Sequence, residues 1–391
     1  MNIIDYIDWR GDLSFERASF NELDGLIFAE FCFLDLFDIV PTEFSASGVT
    51  VSWAVRRFFE IHPEGERLGY IIPEEIKVMA KRMADCARFS GLRLSGFVNR
   101  TEREEQRQFC AISVILPDGT VFIAFRGTDD SIVGWREDFN MVFTSPIPSQ
   151  ILATEYVERI ASQTDGKIIL GGHSKGGNLS LYAASCVSED IQSRICGVYN
   201  YDGPGLNGEI IASEGYQRIK SRITGIIPQA SIIGMLFEHE GVYRIVKSRV
   251  NGLLQHNGFS WEVMGKSFVT LDSLSRDSLI VNKTVKGIIA RMNDEEKKRL
   301  VEALFGIFES SNTTSLTELS RNRNSLIKAV LSIPPEHRDI FLKTFMKMVS
   351  EGGQAIKSTP RAASRPREAS VAGEKPRRRS QAQSSQNGKK Q

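Results

Sequence analysis

The segment Gly172-His173-Ser174-Lys175-Gly176 constrains the fold more than any other stretch of the chain. It follows the apolar run Ile168-Ile169-Leu170 and has the form G-x-S-x-G, which turns a strand sharply into a helix and leaves a serine hydroxyl at the apex. The glycines answer a steric need, because a side chain two places either side of the serine would clash with the strained turn. The flanks agree. Lys167 to Gly171 reads as a short buried strand, and Gly176 to Ala184 as a helix with small residues where it must lie close to a sheet. A glycine-rich turn holding an incidental serine would need neither flank.

The rest of the chain supplies strands and helices in an order that suits such a turn. Residues 1 to about 95 read as helices and loops: Leu23, Leu26, Ile27, Phe31 and Leu34 recur at helical spacing, and Pro73-Glu74-Glu75 suits a helix start. Phe109 to Leu116 and Thr120 to Phe125 read as two strands around the turn Pro117-Asp118-Gly119. Three apolar strands follow the serine turn, Ile195–Tyr201, Ile223–Ile227 and Val242–Val246. Strands alternating with helices predict an α/β fold, a mostly parallel sheet flanked by helices. From about Thr270 the pattern is helical again, with Asn293-Asp294-Glu295-Glu296 as a helix start. The expected organisation is a domain over 1–270 that includes the N-terminal helical segment, a helical appendage over 271–350 and a tail over 351–391.

That tail carries ten Lys or Arg against three Glu, a surplus of seven, so the remaining body is near −6 although the whole chain is +1. It has almost no large apolar side chains and is expected to be disordered. Its run Lys375-Pro376-Arg377-Arg378-Arg379 suggests at most a weak contact with an anionic surface, and no specific nucleic acid is predicted. Five cysteines without a C-x-x-C pair, and an N-terminus without a basic-then-apolar leader, point to a cytoplasmic protein. No histidine–carboxylate cluster has metal-ligand spacing, and no cofactor is implied.

A serine hydroxyl is a weak nucleophile and needs a base, usually a histidine oriented by a carboxylate. On an α/β-hydrolase sheet the chain order is Ser, then Asp or Glu, then His. Order removes His62; His173 belongs to the turn, and His337 lies in the appendage. His239 and His256 remain, and His256 is favoured because Gly252-Leu253-Leu254-Gln255-His256-Asn257-Gly258 forms a loop after the last expected strand. Asp202 lies at the carboxyl end of Val198-Tyr199-Asn200-Tyr201, where the sites of open α/β sheets assemble, yet it also suits a cap of the Gly203-Pro204-Gly205 turn. The loop after the next strand reads Pro228-Gln229-Ala230-Ser231 and offers no carboxylate; Glu238 is a remote substitute. An oxyanion would be held by the backbone N–H of Lys175 and by Thr128, which ends the strand-and-turn Phe125-Arg126-Gly127-Thr128, unless that threonine bonds only locally.

With these residues in view, Phe125-Arg126-Gly127-Thr128, Trp135, Asp138 and Gly172 to Gly177 resemble the signature pair of the class 3 lipases. The opening Tyr6 to Leu13, Phe20 to Asp24, Leu253-Leu254-Gln255-His256 and Phe259-Ser260-Trp261-Glu262 resemble more closely a bacterial Mbeg-like family of α/β hydrolases related to those lipases. The resemblance spans about residues 1 to 270 and implies a lipase-like fold in which Asp138, three residues after Trp135, supports Thr128. Two positions depart from the lipases. Their catalytic aspartate follows the strand matching Ile223–Ile227, where this chain has Gln229-Ala230-Ser231, so the acid has moved to Asp202 or the triad is incomplete. They carry leucine where this chain has Lys175, which reads as a solvated surface lysine, or as a cation favouring an anionic substrate.

The expectation is therefore a serine hydrolase of the lipase or esterase kind, acting on a small-molecule acyl ester or lipid. A non-catalytic binding protein on the same fold and an acyltransferase using the same serine are the alternatives.

Overall fold

The computed structural model describes residues 1–62, 66–141, 143–237, 243–276, 278, 279, 283, 286, 287, 291–310, 314, 315 and 318. The expected tail, His239, Glu238 and His337 all lie outside the described residues.

Eleven strands are described: β1 (Val49–Thr50), β2 (Arg93–Glu102), β3 (Arg107–Ile115), β4 (Val121–Phe125), β5 (Ile168–His173), β6 (Ile195–Tyr201), β7 (Ile223–Pro228), β8 (Tyr243–Val246), β9 (Val263–Met264), β10 (Ser267–Phe268) and β11 (Thr270–Leu271). Nine of them make one sheet in the order β1-β2-β3-β4-β5-β6-β7-β8-β11, and β9 and β10 pair separately. The middle of the sheet, β4 to β8, is parallel, while β1 to β4 and the β8–β11 edge are antiparallel. The serine turn thus sits at the carboxyl end of β5, a strand with parallel neighbours on both sides.

Alternation along the strands divides two cores. Phe122 and Ala124 of β4 and Cys110, Ile112 and Val114 of β3 face one core, while Val121, Ile123, Phe125, Phe109 and Ala111 face the other. Helices α1 (Ile3–Arg10), α2 (Glu22–Phe31), α3 (Val51–Ile61) and α4 (Glu75–Asp85) cover the first face. All ten residues of α2 are buried, its carboxylates Glu22, Asp24 and Glu30 included, with Asn21 capping its start by accepting from Leu23 N. The buried Arg88–Asp24 ion pair, 2.5 Å, fixes the chain around it, with Arg88 also donating to the carbonyls of Leu13 and Ala18. Helices α6 (Pro148–Ala161) and α7 (Lys175–Cys186) cover the second face, and α5 (Ile132–Asn140) lies between β4 and α6 in the chain.

The strand β2 escaped the sequence reading. Its inner end, Leu94-Ser95-Gly96-Phe97, is buried without alternation because the pairing with β3 slips between Ser95 and Val98, where Gly96 adopts φ +68°. Beyond residue 270 the chain continues to pack on the sheet domain. The Asn293 start is present, its side chain accepting from Glu296 N at 2.9 Å, and the helix Asp294–Ser310 sets Phe305 5.5 Å from Phe139 of α5. Ile132 N donates to Thr314 O at 3.0 Å, and Ser275 N to Gln229 O at 2.7 Å. Among the described residues no helix is long and apolar enough to cross a membrane.

Candidate active site

Between Ile168 and Ser185 every residue is buried except Ser174, which is partly exposed. Its backbone is held at φ +57° and ψ −131°, a region L-residues rarely occupy and one that costs roughly 1–3 kcal/mol. The surroundings enforce this conformation. A Cβ at Gly172 would strike the backbone of Gly176, one at Gly176 would strike the Phe125 carbonyl, and one at Gly203 would strike the Ser174 carbonyl. Ser174 N donates to Tyr201 O at 2.9 Å, tying the turn to the end of β6.

That same end of β6 carries Asp202, also at positive φ (+51°) and 1% exposed. Its Oδ2 lies 2.7 Å from His256 Nδ1. Its Oδ1 accepts from the Ser231 hydroxyl at 2.5 Å and from Gly234 N at 3.2 Å. The loop without a carboxylate therefore supplies the hydroxyl that orients the carboxylate next door. With Asp202 as acceptor, the imidazole proton sits on Nδ1 and Nε2 keeps its lone pair. Asp202 and His256, 54 positions apart in sequence, are brought together as the sequence reading paired them.

The His256 loop is pinned from several sides. The Gln255 side chain accepts from Ala230 N at 2.8 Å and donates to Val250 O at 2.8 Å, while Trp261 Nε1 donates to Gln255 O at 2.7 Å. From the turn itself, His173 Nε2 donates to the His256 carbonyl at 2.7 Å, and the two rings lie 4.6 Å apart. That bond leaves His173 Nδ1 unprotonated, 3.4 Å from the buried Glu30 Oε1. Burial, with some repulsion from Glu75, pushes Glu30 up to about 8, and burial, followed by the neighbouring His256, pulls His173 well below the usual histidine range. A neutral acid facing a neutral imidazole is the arrangement both shifts favour. The Ser174 hydroxyl makes no hydrogen bond to any described residue, the His256 imidazole included.

On the other side of the serine, a Cβ on Gly127 would stand 3.2 Å from Ser174 Cβ, so the Phe125–Thr128 turn lies directly against Ser174. Thr128 is buried and its hydroxyl donates to Asp138 Oδ2. Trp135 shares α5 with Asp138, but its buried Nε1 finds no partner among the described residues and contributes no hydrogen bond to the site.

Lys175 is not a surface residue. It is 1% exposed, and its ammonium donates to Gln108 O at 2.9 Å, Gln108 Oε1 at 2.6 Å and Glu137 Oε2 at 3.0 Å. Glu137, fully buried, also accepts from Gln108 N at 3.0 Å and from Ser149 N at 2.9 Å. Sequence reasoning missed Glu137, Gln108 and Ser149, since a carboxylate beside Asp138 on a helix has no pattern that separates it from a solvated one. A buried lysine held this way has no charge to offer a substrate, so the anionic-substrate expectation loses its basis. Asp138 Oδ1 lies 3.9 Å from the same ammonium.

A cavity of about 320 Å³ opens beyond Asn178, between Met141, Gln150, Leu206 and Phe237. Ser174, Thr128 and His256 do not form its walls, so it is separate from the serine's own surroundings. Among the described residues no three His, Cys, Asp or Glu side chains are grouped to hold a metal ion.

With this geometry in place, a family model described as Mbeg1-like matches residues 83–306. Similar solved structures include the native Rhizomucor miehei lipase propeptide complex, 18% identical over 43% of this chain and 58% of that one, TM-score 0.32. A fungal lipase–inhibitor complex is 18% identical over 43% of this chain and 69% of that one, TM-score 0.33. M37 lipase is 16% identical over 54% of this chain and 68% of that one, TM-score 0.31. The chain thus spans little more than half of the Rhizomucor protein's length. No curated protein matches it.

Proposed function

The chain belongs to the Mbeg1-like family, and from that membership and the site geometry we propose a serine hydrolase that cleaves an ester or thioester of a hydrophobic acyl group through an acyl-enzyme on Ser174. The observation that carries the reading is the 2.7 Å contact between His256 Nδ1 and a buried Asp202, beside a serine held at strained φ. The hydrophobic acyl class rests on the likeness of the Thr128, Asp138 and Ser174 pattern to the class 3 lipases.

In this mechanism His256 Nε2 takes the Ser174 proton as the oxygen attacks the acyl carbonyl. The carbonyl π electrons move onto oxygen, which is held by the backbone N–H groups of Lys175 and Thr128. Asp202 stabilises the imidazolium without itself taking the proton. Collapse of the tetrahedral intermediate breaks the bond to the alcohol or thiol, and His256 returns the proton to that leaving group. Water, deprotonated by His256, then attacks the acyl-enzyme, and a second collapse releases the acid and restores the serine hydroxyl. The serine–histidine hydrogen bond has to form with substrate in place, as nucleophile–base contacts often tighten only in the Michaelis complex.

Ser174→Ala tests this directly. The wild type should hydrolyse acyl esters and take a fluorophosphonate label, and the variant should do neither while melting at the same temperature. Labelling that persists in the variant would remove Ser174 from the chemistry.

A further inference from the structure

We propose that the buried Lys175 ammonium is a positioning group for the oxyanion hole: it anchors the first residue of α7 to β3 and α5, and it supplies the positive charge against which Asp138 holds the Thr128 hydroxyl. The inference deepens the serine-hydrolase reading and rests on it, but its test includes a measurement that does not depend on turnover.

The geometry supports both halves. Lys175 contributes its backbone N–H at the nucleophile turn, while its side chain runs away from the site to Gln108 of β3 and Glu137 of α5. One residue therefore ties the nucleophile turn to the helix that carries Asp138. The second half concerns Asp138. Although 23% of its side chain is exposed, its Oδ1 is buried and accepts no hydrogen bond, so the ammonium at 3.9 Å is what compensates that oxygen. Its Oδ2 accepts the Thr128 hydroxyl. A Cβ on Gly134 of α5 would stand 3.1 Å from Thr128 Cγ2, so the helix also packs against the threonine it supports.

The charges that face Asp138 are Lys175 from α7, Glu137 from its own helix and Asp129 from the turn after β4. Burial is the largest influence and pushes its carboxyl up to about 6; Lys175 and then the Thr128 hydroxyl pull it down, and Glu137 and Asp129 push it up. The ionised form, present above that pH, accepts the Thr128 hydroxyl. Below it the carboxyl is protonated, the hydrogen bond from Thr128 is no longer charge-assisted and the threonine is held less firmly. Removing the ammonium raises the Asp138 midpoint further and moves that weakening to higher pH.

Lys175→Met alone would strand the Glu137 carboxylate, which is fully buried, and risks unfolding. The comparison therefore uses full-length Glu137→Gln, whose amide oxygen can still accept from the ammonium while Asp138 stays its counter-ion, and full-length Lys175→Met/Glu137→Gln; the two differ only in the ammonium. Carboxyl carbon NMR of selectively labelled aspartate, assigned with Asp138→Asn, gives the Asp138 midpoint in each. Fluorophosphonate labelling rates between about pH 5 and 9 give the chemistry. The midpoint should rise by about one pH unit or more from the single to the double variant. Labelling of the double variant near pH 6.5 should slow by about 10-fold to 100-fold, with its acid limb shifted upward by the same amount. Equal midpoints in the two variants overturn the proposal. A raised midpoint with an unmoved labelling profile also overturns it, because the charge would then not reach the oxyanion side. A wild type that takes no label refutes the serine reading instead, and the titration still decides whether Lys175 sets the Asp138 charge.

Discussion

The two sides of Ser174 are built from opposite materials. On one side, His256 keeps 29% of its side chain exposed and is held by the Asp202 carboxylate, which with the His256 loop is positioned by short neutral contacts: the Ser231 hydroxyl on Asp202, amides around Gln255, and the His173 ring nitrogen on the His256 carbonyl. On the other, Lys175 and Glu137 form an ion pair with 1% and 0% of their side chains exposed, and every side-chain hydrogen bond described for that pair is to a buried residue. In the proposed mechanism the proton-transfer group has to meet substrate, so it is supported from behind and left open in front. The proposed oxyanion donor is a backbone N–H and has only to stay still. The charge that stiffens it can therefore be buried outright, where an ion pair is unscreened by salt. The comparison implies that substitutions on the open side should injure rate with little loss of stability, and those on the closed side should injure stability first.

The largest expected effect is on the open side. Asp202→Asn keeps the shape and can still accept from Ser231 and Gly234, but it presents no carboxylate to the imidazolium. It should lower kcat by about 10⁴-fold while shifting the melting temperature by no more than a few degrees. A variant that retains a tenth of wild-type activity would place the acid elsewhere. On the closed side, Glu137→Ala leaves the buried Lys175 ammonium with only the more distant Asp138 Oδ1, at 3.9 Å, as counter-ion, and should cost about 3–5 kcal/mol of unfolding free energy, measured by guanidinium denaturation. Lys175→Met/Glu137→Gln should recover much of that loss, since it removes both charges together. A Glu137→Ala protein within about 1 kcal/mol of wild type would erase the distinction between the two sides, because a stranded buried charge is not that cheap.

Legibility in the sequence follows the same division. The serine turn is readable because its glycines answer local sterics, and the strands β3 to β8 because they are short apolar runs between turn residues. Asp202 and His256 could be paired because chain order on such a sheet is restrictive. What could not be read was anything decided by burial of a charged residue. Lys175 follows the serine at a position that looks solvent-facing from the motif alone, and only the approach of Gln108 and Glu137 puts it inside. Glu30 and His173 are the same case. A glutamate on an all-buried helix gives no sign that it will stand 3.4 Å from the histidine of the turn. Ser231 is illegible for a related reason: a hydroxyl that orients a carboxylate at the end of the neighbouring strand leaves no mark in the sequence of its own loop.

Ser231 also gives the smallest and most discriminating effect. Its hydroxyl donates to Asp202 Oδ1 at 2.5 Å, so Ser231→Ala removes one of two donors to that oxygen and leaves Gly234 N at 3.2 Å. A hydrogen bond to a charged group contributes about 1.5–3 kcal/mol, and part of its loss falls on folding and part on the imidazolium. A kcat reduction of about 10-fold is expected, with KM unchanged, because the ground state uses His256 uncharged and the loss appears only as positive charge develops beside Asp202. Ser231→Thr keeps the hydroxyl and should restore most of the rate if the added methyl is accommodated. Equal losses in kcat for Ala and Thr would mean that the site responds to packing at Ser231 rather than to its hydrogen bond, and the open side would then be as rigidly packed as the closed one.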